Sequence, residues 1–190
     1  YTKYTHLEHI LARPDTYVGS LIPDVSKQWV VQSDIMESKQ VTHVGGLFKI
    51  FDEILVNAVD QCVAIENNVD KITVDVNVVE GSISVMNTGN GVPVEQHPGH
   101  DNVWVPELIF GELLTSSNYN DNDERVTGGR NGYGAKLTNI FSKKFVVETV
   151  CMKNKKKYIQ EWTTNMSKKS KPKITSKTTA KNGHTRITFW

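Results

Sequence analysis

The stretch from Leu47 to Ile65, LFKIFDEILVNAVDQCVAI, limits the possible fold more than any other segment of this chain. At roughly 100° per residue, Leu47, Ile50, Phe51, Ile54, Leu55, Ala58, Cys62 and Ile65 fall in one sector, so a helix here carries an apolar stripe that a core must cover. Glu53, Asn57 and Asp60 run along the margin of that stripe at i, i+4 and i+7. A carboxylate and an amide one turn apart therefore project together beside the buried face.

What could cover the stripe is mostly strand. His6 to Arg13 reads as a short helix closed by Pro14, because the residue before a proline avoids the helical region. Lys27 to Ser33 (KQWVVQS) reads as a strand, and Gly45 and Gly46 separate it from the long helix. Lys71 to Val79 (KITVDVNVV) alternates apolar and polar residues, and Glu80 and Gly81 turn it back into Ser82 to Met86, a hairpin that ends in NTGNG. Pro106 to Leu114 carries a helical pattern with Pro106 in its first turn. Thr115 to Gly134, rich in Gly, Asn, Asp and Ser, has no periodicity and reads as a lid with glycine hinges. Ala135 to Phe141 follows as a helix. Lys144 to Met152, Lys156 to Trp162, Lys173 to Thr178 and His184 to Trp190 then read as strands joined by short Lys-rich turns, which makes neighbours antiparallel. The sum is an α/β sandwich: helices over one face of a mixed, mostly antiparallel sheet.

With 190 residues, 38% of them hydrophobic, the chain can bury one full core. It contains no run of about 18 apolar residues, so no membrane partner is expected. Cys62 and Cys151 are too few for a disulfide framework; Cys62, on the apolar stripe, reads as a small core residue, and the pair points to the cytosol or nucleus. The net charge of +1 hides a split. From Lys143 onward, twelve Lys and one Arg face only Glu148 and Glu161, a balance of +11 that leaves −10 for the preceding residues. Such a split fits either a nucleic-acid face or a set of solvated strands. The six histidines read as loop residues, since His97 and His100 flank a turn without a thiolate or carboxylate partner at metal-site spacing.

The segment GGRNGYGAKL, Gly128 to Leu137, offers four glycines, an Arg and a Lys ahead of a helix, a combination suited to a phosphate chain. It is not a P-loop, because Ala135 follows Gly134 where Lys belongs, nor GxGxxG, because Leu137 replaces the last glycine. If phosphates bind there, Asn57 could give Mg²⁺ an amide oxygen and Glu53, one turn earlier, could deprotonate an attacking water. Asn87 in NTGNG could pair with a base edge, with Gly89 and Gly91 letting a ligand come close.

In order and spacing, EILVNAVDQ (Glu53 to Gln61), NTGNGVPV (Asn87 to Val94) and LLTSSNY…GGRNGYGAKL (Leu113 to Leu137) resemble the nucleotide-binding motifs of the GHKL ATPases. TSSNY with GRNGYGAK, and the opening EHILARPDTYVGS, are similar to the eukaryotic type II DNA topoisomerase family, and the resemblance runs through NGHTRITFW. It implies the GHKL, or Bergerat, two-layer sandwich, with residues 1–190 as an ATPase domain lacking the following transducer and DNA-cleavage core. It further implies ATP and Mg²⁺ as ligands, with Glu53 as general base and Asn57 as magnesium ligand. Asn87 would contact adenine, and Ser116, Ser117 and Asn118 the ribose and phosphates. Gly129, Arg130, Asn131, Gly132, Tyr133, Gly134, Ala135 and Lys136 would wrap the triphosphate. Tyr1 matches a strap tyrosine that reaches the nucleotide of the other subunit, which implies a homodimer on ATP binding. Double-stranded DNA would be the partner of the full-length enzyme and the nucleus its compartment.

One departure is that Asn87 and Thr88 stand where the wider superfamily has acidic residues. Three functions stay open on the sequence. One is the ATP gate of a type II topoisomerase, which closes a dimeric clamp around DNA. The second is a Mg·ATP-binding module with negligible turnover as an isolated chain. The last is a DNA-binding domain built on the basic C-terminal third. Asp60 has no assigned role.

Overall fold

A computed structural model of the chain describes residues 3–113 and 132–190. They divide into two compact units, residues 1–52 and 53–190, and one helix starts in the first and ends in the second.

In the first unit, helix α1 (His6–Ala12) starts at a capping box: the Thr5 hydroxyl accepts from the Glu8 backbone N–H, and the Glu8 carboxylate accepts from the Thr5 N–H at 2.7 Å. A single turn, α2 (Pro14–Tyr17), follows. Strands β1 (Asp24–Gln32) and β2 (Ile35–His43) then form a two-stranded antiparallel hairpin. Only the first strand is legible in the sequence. Its two-residue turn, Ser33 and Asp34, takes left-handed backbone at both positions (φ 49° and 63°), the geometry usually signalled by Asn-Gly, and IMESKQVTH lacks alternation.

Helix α3 (Gly45–Asp60) is shorter than its apolar spacing suggests. Its buried stripe is Ile50, Ile54 and Ala58; Leu47, Cys62 and Ile65 are exposed. The helix stops because the chain tightens into i→i+3 bonds, Cys62 N–H to Val59 C=O and Val63 N–H to Asp60 C=O. A short 3₁₀ turn at Ile65–Asn67 follows, closed by Asn68 in the left-handed region. Cys62 is therefore a surface residue and not the core residue its periodicity suggested. Cys151, by contrast, is buried with Val94 and Tyr158.

The second unit is built on strands β3 (Ile72–Asn77), β4 (Ser82–Gly89), β5 (Lys144–Cys151), β6 (Lys156–Thr163), β7 (Lys168–Lys169), β8 (Lys173–Ser176) and β9 (Gly183–Phe189). They form one sheet in the order β3-β4-β9-β5-β6-β7, with β8 also on β6, and every pairing among the described residues is antiparallel. Two short helices, α4 (Val105–Gly111) and α5 (Gly134–Ile140), lie against β6 and β5.

Period-two alternation decides which side chains face those helices. The rows across β4, β9, β5 and β6 are Ile83–Phe189–Phe145–Trp162, Val85–Ile187–Val147–Gln160 and Asn87–Thr185–Thr149–Tyr158. Phe110 of α4 meets Phe145, whose ring meets Trp162 edge-on at 6.2 Å. Gln160 donates to Glu107 of α4, and Asn139 of α5 donates to the Phe110 carbonyl at 3.0 Å. Asn87, Thr185 and Thr149 therefore form a polar row on the helix-covered face.

The histidines are not confined to loops. His6 and His9 lie in α1, His43 ends β2, and His184 sits on β9 with Nε2 2.9 Å from Glu148. Only His97 and His100 occupy a loop, where their rings face each other at 4.8 Å.

Candidate nucleotide site

The site is built from the C-terminal half of α3, the end of β4 and the start of α5. Glu53 and Asn57 are both half-buried on α3, one turn apart, beside the buried Ile54 and Ala58. The contact that joins α3 to the glycine segment is at Gly134: a Cβ there would lie 2.0 Å from Glu53 Oε2 and 3.0 Å from its Cδ. The carboxylate occupies the space that any other residue would fill. Gly134 is thus required by Glu53, a reason different from the free N–H groups that the sequence suggested.

Lys136 lies one turn into α5 and is 1% exposed, with its ammonium donating to the Gly132 carbonyl at 2.7 Å. Burial pushes its pKa down to about 8, and the Glu112 carboxylate works against that shift. The Lys136 charge lies in the first turn of α5. Gly132 itself takes φ +64°, which turns the chain into α5. Because α5 has only seven residues, its macrodipole is short and the charge of Lys136 carries more of any attraction. Tyr133 caps α5 through its backbone, and Ala135 is buried in its first turn.

Asn87 is 7% exposed, and its Nδ2 donates to the Thr88 carbonyl at 2.9 Å, which leaves Oδ1 as the acceptor end. Beside it in register stands Thr185, whose hydroxyl is 3.1 Å from that of Thr149. Neither threonine stood out in the sequence. Each is one alternating position in a strand, and only the pairing of β4, β9 and β5 brings them beside Asn87. Thr88 points to the other face. Its hydroxyl bonds the Asp70 carboxylate and accepts from the N–H groups of Asp70 and Lys71, so it fastens β4 to the start of β3.

The sequence suggested that Gly89 and Gly91 let a ligand approach. What approaches is the protein's own backbone. A Cβ on Gly89 would sit 2.5 Å from the Asn67 carbonyl oxygen, and one on Gly91 would sit 2.1 Å from that of Val150, with φ at +124° and +70°. Gly91→Ala is expected to lower stability by about 2–4 kcal/mol through left-handed strain and overpacking, read by thermal melting. Wild-type melting with lost nucleotide binding would instead put a ligand at Gly91.

Glu53 and Asn57 on α3 thus meet the segment Gly132, Tyr133, Gly134, Ala135 and Lys136 at Gly134, and Asn87 stands on the buried row of the sheet with Thr185 and Thr149. Tyr1, Ser116, Ser117, Asn118, Gly129, Arg130 and Asn131 lie outside the described residues. No cluster of three His, Cys, Asp or Glu side chains that could hold a metal occurs among the described residues. A magnesium ion here would depend on an amide oxygen, water and phosphate. Asn57 suits that role, since its side chain has no hydrogen bond among the described residues.

A carboxylate packed on a glycine turn, an amide one helical turn on, and an inward polar row on an antiparallel sheet define a nucleotide-binding sandwich. The chain belongs to the histidine kinase-, DNA gyrase B- and HSP90-like ATPase family, whose profile matches residues 42–190. Within that family it is 52% identical over 189 residues to DNA topoisomerase 2 of Arabidopsis thaliana, a match that covers all of this chain and 13% of the relative. The crystal structure of the ATPase region of Saccharomyces cerevisiae topoisomerase II superimposes with a TM-score of 0.94 at 50% identity, over all of this chain and 50% of that one. The 43K ATPase domain of Thermus thermophilus gyrase B, solved with an aminocoumarin, shares the fold at a TM-score of 0.66 and 24% identity, over 96% of this chain and 38% of that one. The expected GHKL sandwich is therefore the fold found, and the likeness to eukaryotic topoisomerase II ATPase regions extends over the whole chain.

Proposed function

We propose that this chain binds Mg·ATP and hydrolyses it as the ATP gate of a type II DNA topoisomerase. Binding would draw two copies into a clamp around a DNA segment, and hydrolysis would reset it. The observation that carries the reading is the Glu53–Gly134 contact, which holds a carboxylate against the turn that leads into the buried ammonium of Lys136. The chain spans 13% of DNA topoisomerase 2 relatives, and in this reading residues 1–190 are the ATPase domain and nuclear DNA is the substrate.

ATP would bring the phosphoryl electrophile, and Mg²⁺ would neutralise part of its charge. The chain's own residues do the rest. Glu53 orients a water and takes its proton. Asn57 Oδ1 would hold the ion, and Lys136 would donate to the phosphates from a desolvated position where its charge counts for more. Asn87 Oδ1 accepts from the exocyclic amine of the base, and the Thr185 hydroxyl adds a second polar group on the same row. The family resemblance assigns the remaining ribose and triphosphate contacts to Ser116, Ser117, Asn118, Gly129, Arg130 and Asn131, and the contact to a partner's nucleotide to Tyr1, all of them outside the described residues.

The test is nucleotide-induced thermal stabilisation of the chain with a non-hydrolysable ATP analogue, with and without Mg²⁺. Wild type is expected to show a large shift that depends on Mg²⁺, and Asn57→Ala a shift reduced to the metal-free value. No shift in wild type would overturn nucleotide binding, and an unchanged Mg²⁺ dependence in the variant would remove Asn57 from the metal site. Phosphate release at several protein concentrations separates a dimeric ATPase from a binding module with negligible turnover.

A further inference from the structure

We propose that the end of the sheet where β5 turns into β6 and β8 departs for β9 binds the phosphate backbone of a DNA duplex, through Lys153, Lys155, Lys177 and Lys181. The choice of DNA among polyanions rests on the topoisomerase reading; the surface itself does not.

Three lysines of the C-terminal third are ion-paired; of the exposed ones without an ion pair among the described residues, Lys143, Lys168, Lys171 and Lys173 are distributed elsewhere, and four others lie together at one end of the sheet. Glu148 and Glu161, the only carboxylates after Lys143, are already engaged, Glu148 by Lys157 and His184 and Glu161 by Lys144. Lys169 bridges Glu107 and Glu112 on and beside α4. Those cations serve the fold. Lys153, Lys155, Lys177 and Lys181 are all exposed and make no ion pair among the described residues.

Topology brings these four together although 28 positions separate the first from the last. Lys156 pairs with Ser176 across β6 and β8, so the turn holding Lys153 and Lys155 lies beside the residue preceding Lys177. The Thr178 N–H donates to the Lys155 carbonyl at 2.8 Å, which makes Lys155 and Lys177 direct neighbours. Gly183, two residues after Lys181, packs so closely on Met152 and Val150 that a Cβ would lie 2.7 Å from an atom of each. The segment carrying Lys181 is thereby pressed against the same turn.

Two of the four sit in backbone that lysine disfavours. Lys155 and Lys177 have φ of +52° and +58°, where an L side chain costs roughly 1–2 kcal/mol relative to glycine. Asparagine or glycine would close both turns without that strain and without like charges side by side. A ligand with closely spaced anionic groups offsets the repulsion, and duplex DNA presents one phosphate per about 3.4 Å along each strand.

Binding of a 30-base-pair duplex by the 190-residue chain, followed by fluorescence anisotropy across salt, tests this. Four phosphate contacts give a slope of log affinity against log salt of about −3.6, a loss of roughly a hundredfold between 50 and 200 mM. Changing Lys153, Lys155, Lys177 and Lys181 to Gln is expected to abolish most of that slope and weaken binding at least tenfold. The same charge change at Lys143, Lys168, Lys171 and Lys173 should leave the slope within about one unit of wild type. On the unmodified chain, the duplex is expected to protect the four lysines from acetylation more than Lys143, Lys168 and Lys171. Equal losses in the two variants, or uniform protection, would overturn the proposal. Displacement by polyglutamate at a lower charge concentration than by DNA would overturn it in favour of an acidic protein partner. The thermal shift with the ATP analogue, run in parallel, is expected to be unchanged in the four-lysine variant. Its absence in wild type would sink the ATPase reading while leaving the anisotropy result to stand by itself.

Discussion

Replacing Glu53 with Ala is expected to cut ATP hydrolysis by roughly 100- to 10,000-fold while leaving the nucleotide-induced thermal shift close to wild type, because a general base acts on the water and adds little to ground-state binding. The structure supplies a second variant that reaches the same group from the other side. A methyl at Gly134 would stand 2.0 Å from Glu53 Oε2, so Gly134→Ala must push the carboxylate away or move the start of α5. Its hydrolysis is expected to fall as far as that of Glu53→Ala, measured as phosphate release by the full-length protein. Wild-type turnover in Gly134→Ala would show that the carboxylate does not work from this position. Wild-type turnover in Glu53→Ala would remove it from the chemistry altogether.

Lys136→Met is expected to move two measurements in opposite directions. Without nucleotide, the native state holds a buried ammonium whose pKa has fallen from 10.5 to about 8, so burial of the charge costs stability at pH 7. That cost is fully present below pH 8 and fades as the pH rises from 8 towards 10.5, since the unfolded chain keeps its proton over that range while the folded chain loses it. Removing the charge is expected to stabilise the nucleotide-free chain by roughly 1–3 kcal/mol at pH 7 and to flatten its stability between pH 8 and 10.5. The same variant should lose most of the shift produced by the ATP analogue, because it has lost the desolvated cation that meets the phosphates. In wild type, analogue affinity is expected to be level below pH 8 and to weaken above it. A variant that is less stable at pH 7 and still binds the analogue would show that Lys136 is a structural lysine.

In much of the sheet a local pattern and the tertiary fold ask for the same thing. Strands β5, β6, β8 and β9 lie within about two residues of their expected segments, because a half-buried sheet needs period-two burial, while the two-residue β7 is too short to show a period. Pattern and fold part where the periodic signal is weaker than a local bond. The apolar spacing of α3 continues to Ile65, yet the i→i+3 bonds after Val59 end the helix and leave Ile65 89% exposed. The β2 strand has no local signal, because Ser33 and Asp34 make a turn that their residue types do not announce. Gly89 and Gly91 were legible as close-approach positions, but a sequence does not say what comes close, and here it is the carbonyls of Asn67 and Val150.

Spacing alone puts Glu53 and Asn57 on one edge of a helix, sets a glycine turn ahead of the helix that carries Lys136, and gathers the positive charge after Lys143. Each of these follows from spacing within one segment, and backbone geometry converts such spacing directly into direction. Packing between distant segments, by contrast, sets Glu53 in the missing side chain of Gly134, puts Asn87 in a buried row with Thr185 and Thr149, and gathers Lys153, Lys155 and Lys177 at one end of the sheet. Those are relations between segments dozens of residues apart, set by strand register and packing, and no local period encodes them.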